Sequence, residues 1–115
     1  AQEAIDLLRD DHDKGQGIYF SRSVLVRALA ASGDRTQAAQ VAQWMADNRG
    51  VAFGEPTYVW GWQLANIAES TLALRAVARL SEPRSAEAIA AAQAFARAWP
   101  EGEQLPQVKR RDAAL

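Results

Sequence analysis

The chain has 115 residues, of which 49% are hydrophobic and 23% charged, with a formal net charge of −1 and no cysteine. Those values fit one folded domain with a core of its own and exclude a disordered tail, a disulfide scaffold, thiolate metal sites and a cysteine nucleophile. Charges of both signs are spread along the chain, so there is no broad field to draw in DNA, RNA or an anionic membrane.

Apolar residues recur at three and four almost throughout, and no run alternates as a half-buried strand would, so the expected fold class is all-α. The first helix spans about Gln2 to Asp11, with Ile5 and Leu8 on one side. The chain opens without an initiator Met, already inside this amphipathic pattern, and reads as a piece of something longer. No stretch approaches the ~18 apolar residues of a membrane span, and the basic-then-apolar layout of a signal peptide is missing. Soluble placement in cytoplasm or periplasm fits equally.

"DDHDKGQG", residues 10 to 17, stops the first helix, and a second follows from Tyr19 to Ala31. Phe20, Val24, Leu25, Ala28 and Leu29 are spaced as one buried stripe of that helix. Gly33 supplies a left-handed end and Asp34 an N-cap for a third helix, Arg35 to Asn48, which presents Ala38, Val41, Ala42 and Met45 on one side. Two helices joined by so short a bend form an αα-hairpin. After the loop "VAFGEP", a long fourth helix is expected over Thr57 to Leu80. Its residues Trp60, Leu64, Ile67, Thr71, Leu74 and Ala78 advance by alternating fours and threes, a seam suited to near-parallel or antiparallel packing. "SEPRS" breaks the chain, and Ser85 caps a fifth helix that buries Ala88, Ala92, Phe95 and Trp99 until Pro100 ends it. The remainder begins as loop and finishes as a short helix from Gln107.

Leu25, Gly33, Asp34 and Ala38 stand at offsets similar to the Leu, Gly-Asp and small-residue positions of a tetratricopeptide repeat, where a small residue after the turn lets two helices cross closely. Arg49, Gly50, Glu55 and Pro56 after the first hairpin, with Phe95, Trp99, Leu105 and Pro106 near the end, resemble the linker and terminal seal of a C-terminal tetratricopeptide-like module. Such modules occur in bacterial regulators, serine/threonine kinases and winged-helix proteins among them. The resemblance covers about Ile18 to Ala114. It implies stacked antiparallel hairpins forming a short α-α superhelix in one domain, residues 1–115. Within it, 1–14 is a helix of a preceding unit, 18–49 the first hairpin, 56–99 the second and 100–115 the seal.

The function so implied is non-catalytic: a protein-interaction or scaffolding module of a larger bacterial regulatory protein, with a protein or peptide as partner, self-association included. Nucleic acid, membrane and cofactors are not expected. Stacked hairpins leave a concave surface, which here would draw on Ser23, Arg27, Trp62, Asn66 and Glu69. Tyr58, Trp60 and Trp62 admit two roles, a plug between hairpins or an exposed binding hot spot built on Tyr58 or Trp62. The alternative function is the helical part of an enzyme or small-molecule sensor whose site is completed outside this segment.

Reactive chemistry finds little footing. An EF-hand loop starting at Asp11 would need Gly at its sixth place and an acid at its twelfth, where this chain has Gln16 and Arg22. His12 is the only histidine, with no second imidazole for a transition metal and no Gly-x-Ser-x-Gly elbow to serve. The segment reads as a solvated acidic helix end, and no catalytic or metal-ligating residue is assigned. "KRR", residues 109 to 111, is too short for a nucleic-acid patch.

Overall fold

The bend between the second and third helices shows how local chemistry sets the frame. In the computed structural model, which describes residues 2–15, 18–48, 60–80 and 85–113, Gly33 takes a left-handed φ of 93°. The Asp34 N–H turns back to the Leu29 carbonyl at 2.9 Å, and the Gly33 N–H reaches that of Ala30 at 3.2 Å. These bonds satisfy carbonyls that a helix end would otherwise leave unpaired. Asp34 Oδ1 then accepts the Gln37 N–H at 3.2 Å and opens the next helix. Ser85 Oγ does the same for Ala88 N–H at 3.3 Å.

The described residues form six α-helices: α1 (Gln2–Asp13), α2 (Tyr19–Ala31), α3 (Arg35–Asn48), α4 (Trp60–Leu80), α5 (Ala86–Ala98) and α6 (Pro106–Ala113). A 3-10 helix, Pro100–Gln104, joins the last two. The fold is all-α, and no strand occurs among the described residues. The bounds of α2 and α3 coincide with those read from the sequence, while α1 runs two residues further, to Asp13. The C-terminal part is more ordered than expected: the loop is a 3-10 turn, and the last helix starts at Pro106, where a missing N–H costs nothing. The linker residues Arg49, Gly50, Glu55 and Pro56, the expected first turn of the fourth helix with Tyr58, and most of "SEPRS" lie outside the described residues.

α4 is the axis of the molecule, with α2, α3, α5, α6 and the 3-10 helix all resting on it. Its seven-residue seam is present, since Ile67, Thr71 and Leu74 are buried, but so are Ala68, Leu72, Ala73, Ala76 and Val77. A helix whose buried residues reach round most of its circumference is one with neighbours on several sides. The side chains of Ala68, Ala73 and Ala76 stop at Cβ, which lets those neighbours come close.

α2 corrects the stripe drawn for it. Leu25 and Leu29 are fully buried, yet Phe20 is 54% and Val24 38% exposed, and the helix instead buries Tyr19, Arg22, Ser23, Val26 and Ala30. The buried face is the more polar of the two, since it carries Arg22 and Ser23, and it is the one that meets α3, where the Arg22 guanidinium lies over the Trp44 ring and the Tyr19 hydroxyl donates to the Met45 carbonyl. α5 buries Phe95, with Ala88, Ala92 and Trp99 packed at the edge of the same core, as expected.

The C-terminal strap closes over α4 through a second small cluster of Val108 and Leu105 on Ala68 and Leu72. Gly102 makes the closest approach, because a Cβ there would lie 2.6 Å from Thr71 Oγ1 and 3.1 Å from Ile67 Cγ2. Arg75 Nη2 and Glu103 Oε1 pair at 2.5 Å beside it.

Candidate partner-binding surfaces

The residues assigned to a concave surface are mostly interior. Ser23 is fully enclosed, Asn66 is 4% and Glu69 8% exposed, and Arg27 is half-buried. Tyr58 and the side chain of Trp62 lie outside the described residues. Over Glu69 the covering element is α6, whose Arg111 donates from Nη1 to Glu69 Oε2. The same guanidinium carbon sits 5.0 Å from the centre of the Phe20 ring. Phe20 of α2, Glu69 of α4 and Arg111 of α6 therefore meet at one point. Nothing in the local sequence announces that meeting, because the three lie on separate helices. Glu69 Oε1, Arg111 Nη2 and the Ser23 and Ser70 hydroxyls have no hydrogen-bond partner among the described residues. Desolvating each ion costs several kcal/mol, so a largely buried ion pair with unfilled bonding capacity is a weak source of net stability.

A more open surface lies on the other side of α4. α3 and α5 both rest on that helix and leave between them a groove of about 480 Å³. Its floor is Ala39, Leu74, Val77, Ala88 and Ala91; its rim is Arg35, Thr36, Gln40, Gln43, Ser85 and Glu87. Alanine at 39, 88 and 91 is the cause: where larger side chains would have filled the space, these stop at one carbon. The volume falls within the ~300–1,000 Å³ usual for binding clefts. Sequence reading missed this place because alanines spaced by three and four look the same whether they admit a neighbour or leave a gap.

A third cluster gathers at the join of α1, α2 and α3. Arg22, only 3% exposed, donates from Nε to His12 Nδ1 at 2.9 Å. Its guanidinium lies 4.0 Å from the Trp44 ring centre and 5.8 Å from that of Tyr19. His12 meets Trp44 edge to face at 5.2 Å, and the Tyr19 hydroxyl donates to the Met45 carbonyl at 2.8 Å. Burial, then the charge of Arg22, holds the His12 imidazole below its ordinary value, with Asp13 acting the other way. Burial likewise lowers Arg22, with Tyr19 opposing. This corrects the reading of a solvated helix end: Asp10, Asp11 and Asp13 are exposed, but His12 turns inward.

Among the described residues no group of three or more His, Cys, Asp or Glu side chains could hold a metal ion. No helix among them is long and apolar enough to cross a membrane. Compared with family models, with curated proteins and with solved structures, the chain matches none.

Proposed function

We propose that the chain is a protein-interaction module of tetratricopeptide-like build, belonging to a larger bacterial regulatory or scaffold protein, and that its partner docks in the groove between α3 and α5. The observation that carries this reading is the groove itself: an apolar floor of alanine, leucine and valine under a rim of amides and hydroxyls with one charge of each sign, Arg35 and Glu87. Such a surface suits a helical segment that lowers a few aliphatic side chains onto the floor while its flanks bond to Gln40 and Gln43. The hairpin supports the tetratricopeptide-like build, with Ala38 fully buried just after the Gly33–Asp34 bend.

The test is a selection of displayed helical peptides on the folded chain, with Gln40→Trp as counter-target. Gln40 is exposed, so the substitution fills the groove without touching the core. Amphipathic sequences that bind the wild type and lose at least tenfold in affinity on Gln40→Trp are the expected result. Selection of no sequence beyond those bound by an unrelated helical protein, or equal binding to the blocked variant, refutes the proposal. A second copy of the chain is a further partner to be scored, by sedimentation of both proteins at rising concentration.

A further inference from the structure

The bond between His12 and Arg22 has a fixed polarity. A guanidinium N–H can only donate, so His12 Nδ1, 2.9 Å from Arg22 Nε, must accept, and the imidazole is neutral with its proton on Nε2. A proton added at Nδ1 removes the acceptor and sets two N–H groups against each other. It also places a second cation beside a guanidinium that is already 3% exposed and has an unpartnered Nη2 among the described residues.

The surroundings offer little to neutralise that second charge. From α1, the exposed Asp13 favours the imidazolium. From α2, Arg22 opposes it, and Tyr19 is a phenol committed to the Met45 carbonyl. From α3 comes the Trp44 ring, and the guanidinium lies over that ring, 4.0 Å from its centre. α1 is also the helix with the least support, resting mainly on α2 through buried Ile5 and half-buried Leu8, while Leu7 stands 69% exposed.

We propose that the His12–Arg22 bond is a proton-operated latch: neutral His12 holds α1 against α2, and protonation in mildly acidic solution releases α1 and uncovers Arg22 and Trp44. The direction follows from linkage. A free imidazole takes up its proton near pH 6.5, whereas burial and Arg22 hold the latched one below that value. The released state therefore binds more protons. The latch is at full strength above about pH 6.5 and weakens as pH falls through the lowered value of the closed form. This inference stands apart from the groove between α3 and α5 and does not depend on what binds there.

His12 is the only histidine of the chain, so its imidazole resonances in the whole protein report one titration without assignment ambiguity. The expected midpoint lies below 6.5, and amide protection across α1 falls along the same curve, by up to tenfold per pH unit for a single linked proton, while α3 and α4 keep theirs. His12→Gln, whose amide oxygen can accept from Arg22 without titrating, keeps α1 protected throughout. Asp13→Asn, an exposed change that cannot threaten folding, lowers the midpoint further. A midpoint at or above 6.5, α1 protection that is indifferent to His12 protonation, or the same acid loss in His12→Gln would each overturn the proposal.

Discussion

Gly102→Ala tests how the C-terminal strap is seated. The glycine is buried in the 3-10 helix, and its φ is not among the positive ones, so the penalty is steric and not conformational. A methyl carbon would stand 2.6 Å from Thr71 Oγ1, 3.1 Å from Ile67 Cγ2 and 3.8 Å from Thr71 Cβ. The hydroxyl cannot yield freely, because it donates to the Ile67 carbonyl at 2.8 Å and belongs to a β-branched side chain with few rotamers. Either that bond is lost inside the protein, a cost of about 1–3 kcal/mol, or the strap lifts and loosens Val108 and Leu105. Overpacking of this kind costs about 1–3 kcal/mol. With a urea slope of about 1–3 kcal/mol/M, a loss near 2 kcal/mol lowers the unfolding midpoint by about 1 M. Urea titration followed by circular dichroism reads it. In a Thr71→Ala background the nearest atom becomes Ile67 Cγ2, and the same substitution should cost less than half as much. An equal cost in both backgrounds, or no cost in either, refutes the steric argument.

Two further comparisons probe the corrected faces. Phe20→Ala should cost about 1 kcal/mol or less, the worth of a half-exposed cation–π contact with Arg111, whereas Leu25→Ala, in a fully buried site, should cost about 2–5 kcal/mol; equal losses by urea unfolding would return Phe20 to the core. Arg111→Ala should destabilise by about 3 kcal/mol by leaving the Glu69 carboxylate buried and unpaired, while the double substitution Glu69→Gln/Arg111→Met should lie closer to wild type. Thermal unfolding of the three proteins distinguishes the outcomes, and a single variant as stable as wild type would remove the pair from the architecture.

The sites divide in the same way as the fold. The groove depends on alanines 39, 88 and 91 lying opposite one another across α4, a relation that no window of neighbouring residues contains. His12 was visible only as a lone imidazole among acids; what gives it a chemical role is Arg22, ten positions on, and the Trp44 ring of another helix. Glu69 and Asn66 belong to the concave surface that the resemblance implies, and sequence alone does not say what lies over them. Here α6 lies over Glu69, and its Arg111 comes from 42 residues away.

Helix identity and helix ends were already written in the order of residues, since capping and reversal act within a few positions. Gly33 must turn left-handed, Asp34 and Ser85 must accept a nearby N–H, and Pro100 must end α5 whatever the rest of the chain does. Orientation was not written there. The apolar residues of α2 fall on more than one side, Phe20 and Val24 on one and Tyr19 and Val26 on another, and those of α4 are spread round most of the helix between Asn66, Glu69 and Arg75, so periodicity permits several rotations of each. Only packing against particular neighbours chose among them, putting Phe20 and Val24 in water and Arg22 and Ser23 inside, because burial is a property of what lies across the gap and not of the segment that faces it.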